Sequence, residues 1–374
     1  MRGQIKDRNR RDLIADELRD LIYSGTEAMP AARDLPDLIM SVGTDYLLAS
    51  EDDVRRDRYR SSRLGVELDF GIKEGRHHDS YPATAIRGPW IHLLWYHPRE
   101  ALDFFIKVFN HSVDWYAHPR LHDRLEPPWE VELTFADGTT RTQWANARLW
   151  GLYRGMTVGP YVLQSMLMAL EKWLLELAEE RPEELDAILL DILGRSDSAA
   201  LSAVVASVAA AYPHDSGEAL LVLLSARDYV ELDRSRVAGD RQVSGLSGML
   251  PTFRVDHQVY EAERKKANAV PHRGHHVETA IANLQLGPLA PRVHAILDRH
   301  LAVLRPKERK QIACGASLFT EWTCGSTPFP RRLDQKSSPQ RAVRLSTATC
   351  GSIPNRQTLM CRQWSTKVPS VWRR

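Results

Sequence analysis

The chain has 374 residues, 43% hydrophobic and 26% charged, with a formal net charge of +2. This composition is that of a soluble globular protein, and a body of roughly 300 residues buries about 75% of its unfolded surface, so no metal or disulfide staple is required. No apolar run approaches the ~20 residues needed to cross a bilayer, and Met1–Arg19 alternates Arg, Lys, Asp and Glu where a secretory leader would be apolar, so a cytoplasmic protein with no membrane partner is expected.

In chain order, Leu13, Ile14, Leu18, Leu21 and Ile22 predict an opening helix, and Leu35 to Leu48 a second one interrupted near Gly43. Residues 61–89 carry little periodicity, although His77, His78 and Asp79 stand together there. Pro98 then opens a helix in which Leu102, Phe105, Ile106, Phe109, Val113 and Tyr116 form one apolar stripe ending before Pro119. Between Glu130 and Gln143 the period changes to two: Val131, Leu133 and Phe135 alternate with Glu132 and Thr134, and Asp137-Gly138 offers a turn able to take positive φ. A β-hairpin at about 130–143 is therefore predicted, with Trp129 and Trp144 as its anchors, and Trp129, Asp137, Gly138 and Trp144 form a candidate contact element.

Further along, Leu163, Met166, Leu167, Leu170, Trp173, Leu174 and Leu177 line one helical face, with Gln164, Glu171, Lys172 and Glu176 on the other. Pro182 opens the next helix, whose first turn carries Glu183 and Glu184 and which Gly194 is expected to stop. Ser196 or Asp197 is the expected cap of a third, broken at Pro213, and Asp215 or Ser216 the cap of a fourth through Leu224. Such short connections force antiparallel neighbours, while no repeat recurs at 33 to 47 residues. Ala238 to Pro251 reads as a boundary between helical subdomains.

The expected fold is thus mainly α, an irregular α-solenoid or a multi-helix array with one inserted hairpin and a poorly ordered C-terminal tail. Its parts are an N-terminal helical segment (1–89), a helical core carrying the hairpin (90–237), a C-terminal helical subdomain (252–310) and a tail (311–374). The tail holds ten Lys or Arg against Glu321 and Asp334, a net +8 that leaves −6 on the first 310 residues. Positive charge confined to a segment without helical period is not the interleaved basic face of a nucleic-acid binder. All four cysteines, Cys314, Cys324, Cys350 and Cys361, also fall in the tail, without a C-x-x-C pair or a histidine, and read as free thiols, not a zinc site. The tail reads as disordered or out of frame: shifted by one base, degenerate codons for Gln311 to Thr327 permit an amphipathic helical string.

The chain contains no G-x-x-x-x-G-K-[ST] phosphate loop, no G-x-G-x-x-G and no G-x-S-x-G elbow, which reads against an enzyme, and no cofactor is expected. The candidate metal ligands are two histidine clusters, His77, His78 and Asp79, and His272, His275 and His276, the latter with Asp256 and His257 upstream. Imidazole and carboxylate together can hold a hydrolytic metal, but neither cluster has H-E-x-x-H spacing. A metal-dependent enzyme using them is one alternative function and a generic helical scaffold is another.

One resemblance lies in Asn146 to Glu176. The runs Ala147-Arg148-Leu149-Trp150, Tyr153-Arg154-Gly155, Gly159-Pro160-Tyr161 and Ser165 through Leu175, preceded by Gly88-Pro89-Trp90 and Asn110-His111, resemble a segment of very large bacterial STAND-type NTPases of the antiphage AVAST kind. The resemblance spans about residues 85 to 305. It implies a helical region outside the phosphate-binding core, without catalytic residues, that recognises a protein partner or relays that recognition, and a chain that is a truncated portion of such a protein.

Overall fold

The computed structural model describes residues 28–53, 66–73, 80–118, 126–243 and 255–303. The predicted helix over Leu13–Ile22, the cluster His77, His78 and Asp79, and the tail 311–374 lie outside these residues. Within them the fold is mainly helical, with one two-stranded antiparallel hairpin.

The chain enters through α1 (Ala28–Asp34) and α2 (Pro36–Leu47). The latter runs unbroken through Gly43, which is buried in its middle, so the predicted interruption is absent. A glycine inside a helix costs only about 0.5–1 kcal/mol, which packing on this side outweighs. After the single turn α3 (Val66–Asp69) come α4 (Trp90–Tyr96) and α5 (Pro98–Ala117), the latter burying all six predicted stripe residues. α4 has no counterpart among the predicted elements: a short apolar run between Pro89 and Pro98 has no polar phase to reveal its period.

The hairpin pairs β1 (Trp129–Thr134) with β2 (Thr140–Ala145), in the register Val131↔Gln143 and Leu133↔Arg141. There follow α6 (Ala147–Trp150), a 3₁₀ turn (Leu152–Arg154), α7 (Tyr161–Glu180), α8 (Pro182–Arg195), α9 (Ala199–Ala211), α10 (Gly217–Ser225) and α11 (Arg227–Val243). A second stretch contains α12 (Val255–Asn268), a 3₁₀ turn (Pro271–Gly274), α13 (Val277–Leu284) and α14 (Ala290–Val303).

Composition decides which helix is central. α9 reads AALSAVVASVAAA, and every residue from Ala199 to Ala209 is buried. Apolar all round, it has no face for water, and its small side chains let α5, α7, α8, α10, α11 and α13 approach it from different sides. The result is a multi-helix array around an inner helix, not a solenoid in which each unit meets only its chain neighbours. All described residues fall within one compact unit.

Two predicted helix ends shift, and a third keeps its predicted cap residue but takes its capping bonds from another helix. α8 continues one residue past Gly194 to Arg195. The cap of α9 is Ser198, whose hydroxyl accepts from Ala200 N at 3.3 Å, while Ser196 instead accepts from Ser198 N. At α10, Ser216 holds the cap position without a capping bond; its hydroxyl donates to Tyr212 O at 2.7 Å. The open amides of Glu218 and Ala219 donate to the Asp186 carboxylate of α8, at 3.0 and 2.9 Å. A cap supplied from a neighbouring helix leaves no local sequence signature.

Candidate functional site

Of the predicted contact element, Trp129, Asp137 and Gly138 are exposed and Trp144 is half-buried, while other residues of the hairpin fasten it to the body. Val131 and Leu133 are buried, and so is Gln143 between them. The Gln143 amide nitrogen donates to Leu193 O at 3.0 Å, and its carbonyl accepts from Ser202 Oγ at 2.6 Å and Tyr229 Oη at 2.5 Å. The hairpin is thus fastened by Gln143 and Leu133, not by Trp129, which is 37% exposed. Trp144 does pack partly against the core, with its backbone N–H on Asp197 O at 2.8 Å. At the tip Gly138 has φ +85, as the Asp-Gly pair predicted. Asp137 accepts from the Thr139 hydroxyl and amide, which hold its carboxyl below the usual range.

The histidines of the second cluster do not converge. His272 turns inward, Nε2 lying 3.8 Å from Glu171 Oε1, too far for a hydrogen bond. His275 is exposed and offers its backbone carbonyl to Arg236. His276 lies beside Glu278 at 3.6 Å. Among the described residues no group of three His, Cys, Asp or Glu could hold a metal ion.

What the 3₁₀ turn Pro271–Gly274 does bring to the interior is Arg273. Its guanidinium donates to Glu171 through Nε at 3.2 Å and through Nη2, and Ser207 Oγ donates to the same carboxylate at 2.6 Å. Burial would raise the Glu171 carboxyl, but the adjacent Arg273 charge and these bonds hold it well below the ordinary carboxylate range. Glu171, placed by helical period on the polar side of α7, is only 1% exposed, and so is Gln164. Both sides of α7 are covered, by α4 and by α8 and α9.

The cluster extends through two more carboxylates. Asp233 accepts from Arg236 Nε at 2.7 Å, Trp150 Nε1 at 3.2 Å and Val277 N at 2.7 Å. Asp240 accepts from Arg154 Nε at 2.8 Å and Arg236 Nη1 at 3.0 Å. Asn268 Oδ1 bridges Arg154 and Arg273 at 3.3 and 3.0 Å. Tyr153 is buried among them, and burial pushes its phenol up to about 12. These ion pairs clamp α7, α11 and the turn before α13, while the buried Tyr153 hydroxyl is left without a hydrogen-bond partner.

The outer surface offers something different. On α4, Trp95 and Tyr96 are each 42% exposed although Trp90, Ile91, Leu93 and Leu94 behind them are buried. The Trp95 indole donates to Glu176 Oε2 at 2.7 Å, which orients it against α7. Glu176 pairs with Lys172 at 3.1 Å, and Lys172 reaches Glu263 of α12 at 3.6 Å. On α12 a shallow groove of about 470 Å³ is lined by Ile86, Val259 and Ala262, with Gln258, Glu263 and Lys266 at its sides. On the opposite flank His97 Nε2 meets Arg33 O at 2.9 Å, which brings Arg33 of α1 near Tyr96. The rim formed by Trp95 and Tyr96 is thus flanked by Arg33 of α1 on one side and by the Glu176–Lys172–Glu263 ion pairs leading to α12 on the other.

The sequence gives no sign of this rim, because Trp95 and Tyr96 continue an unbroken apolar run and Val259 sits on a helix of low hydropathy. No described helix is long and apolar enough to cross a membrane. No family model matches the chain, and no curated protein matches it. Fold and surface together define a helical array with a buried ion-pair network and exposed aromatic residues on α4.

Proposed function

We propose that this chain is a non-catalytic helical contact region that recognises a protein partner, in the manner of the sensor portion of a large antiphage STAND-type NTPase from which it is a truncated part. The observation that carries the contact role is the Trp95–Tyr96 rim. Tryptophan and tyrosine dominate the energetics of protein interfaces, and here both stand in water on a rigid helix with charges of both signs alongside. A mixed rim suits a protein better than nucleic acid, whose footprint is uniformly basic. The resemblance in Asn146–Glu176 supports the sensor reading, since those residues supply the Glu176 carboxylate that positions Trp95.

Two measurements test this reading. A photocrosslinking residue at Tyr96 should capture a discrete protein in the native host that the same residue at Asp298, exposed on α14, does not capture. The double variant Trp95→Ala, Tyr96→Ala should weaken that complex by about 2 kcal/mol or more, roughly thirtyfold, with the melting profile retained. Equal capture from both positions, or unchanged affinity, would refute the contact role. The truncation is checked separately by sequencing the gene's surroundings: a neighbouring reading frame with a phosphate-binding loop is expected, and uninterrupted unrelated genes would remove the idea.

A further inference from the structure

A helix ordinarily joins a protein by burying one stripe of its side chains. α12 does not: from Gln258 to Asn268 every residue is exposed or half-buried, whereas α14, also 14 residues long, buries Val293, Ile296 and Leu297. What holds α12 to the body is a row of polar and charged contacts. Arg264 Nη2 donates to Gly155 O at 2.6 Å, Glu263 Oε1 lies 3.6 Å from Lys172 Nζ of α7, and the Arg87 guanidinium sits over the Tyr260 ring at 4.5 Å. At the C-terminal end Asn268 Oδ1 accepts from Arg154 and Arg273, and Arg273 is itself fixed on the buried Glu171. Between these tethers the fit is open, since Val259, 60% exposed, and Ala262 line a groove of about 470 Å³ with Ile86.

Behind α12 lies a small apolar cluster separate from the main core, Ala83, Ala85 and Met168, with Tyr161 packed against it. The tethers end on the same stretches of chain. Ile86 and Arg87 directly follow Ala85, and a Cβ at Gly155 would lie 2.7 Å from Arg264 Nη2 and 2.8 Å from Met168 Cε, so guanidinium and thioether meet at that glycine. The energies are uneven. A partly exposed ion pair such as Lys172–Glu263 contributes about 0–1 kcal/mol, and a hydrogen bond from a charged donor such as Arg264 about 1.5–3 kcal/mol. α7 and α9 on the inner side are secured by apolar burial along their whole length.

We propose that α12 is a strap that opens as a unit about its Asn268–Arg273 anchor while the rest of the fold stays closed, uncovering Met168 and Tyr161. Charge interactions at the edge of water hold it shut, so rising ionic strength favours the open form. The inference does not depend on the contact role of Trp95 and Tyr96.

The test is native-state hydrogen exchange of the full chain read by mass spectrometry, with oxidation of Met168 by peroxide as the second readout. Amides of α12 are expected to exchange by local opening, faster than those of α7 and α9 and independently of low denaturant. In about 1 M salt, where the screening length is about 3 Å, both α12 exchange and Met168 oxidation should rise several-fold. Arg264→Met removes the strongest tether and should accelerate both by about tenfold, with exchange in α9 unchanged. Ala262→Leu extends an apolar side chain into the groove beside Ile86 and should slow both. Should Arg264→Met fail to fold, the salt response of the parent and the Ala262→Leu variant decide the matter. Exchange of α12 only at the rate of α9, or Met168 oxidation that ignores salt and both substitutions, would overturn the proposal.

Discussion

At the scale of single residues the decisive group is Glu171. Its folded carboxyl holds a proton far less tightly than its ordinary value of 4.5: burial disfavours the charged form, but the Arg273 charge and the hydrogen bonds to the carboxylate together outweigh it. The unfolded chain consequently binds more protons in acid than the folded one does. Stability from this pair is complete above about pH 4.5 and is lost as pH falls through the lower folded value. Glu171→Gln leaves Arg273 buried without its counter-charge and should cost about 3–5 kcal/mol at neutral pH. It should also flatten the acid limb of the melting-temperature curve; equal slopes in parent and variant below pH 4.5 would show that Arg273 does not hold this carboxyl. None of this was legible in the sequence, where period alone puts Glu171 beside Lys172 and Glu176 on the polar side of a helix. Its partner lies 102 residues away, and Gln143 likewise reads as an ordinary strand residue until Ser202 and Tyr229 arrive from distant helices.

At the scale of elements, apolar spacing was a sound guide wherever it had a polar phase to contrast with. The stripes of α5 and α7 and the two-residue period of β1 read correctly, as did the positive φ at Gly138, because each depends on residues close together in the chain. Helix ends followed a different logic. For α10 Ser216 takes the predicted cap position but its hydroxyl makes no capping bond, and Asp186 supplies the acceptors across the α8–α10 contact. Asp186→Ala should therefore destabilise the protein by about 1 kcal/mol and speed amide exchange at Glu218 and Ala219 before it affects α8 itself. Unchanged exchange at those two amides would mean that solvent or the helix's own turn satisfies them. α4 escaped detection for the converse reason: it is short, apolar but for His92 and bounded by prolines, so its exposed pair Trp95 and Tyr96 could not be separated from its buried residues without knowing what lies behind them.

At the scale of the whole molecule, stability should radiate outward from α9. This helix has no exposed face between Ala199 and Ala209, so its amides cannot meet solvent unless the surrounding helices separate. α14 differs: it packs mainly on α10 and α13, and Arg292, His294, Asp298 and Arg299 face water. Hydrogen exchange should accordingly be slowest in α9, with an opening free energy equal to that of global unfolding, and measurably faster in α14 through local opening. Ala203→Leu gives the complementary test. The residue is fully buried, and added volume there must displace neighbours on several sides at once, at a cost of about 1–3 kcal/mol. Because α9 is shared by most of the array, that loss should accelerate exchange in α7, α8, α10 and α13 together while leaving local opening of α14 unchanged. If exchange rose only within α9, its neighbours would be packing independently of it, and the array would behave as separable layers instead of one body organised around an inner helix.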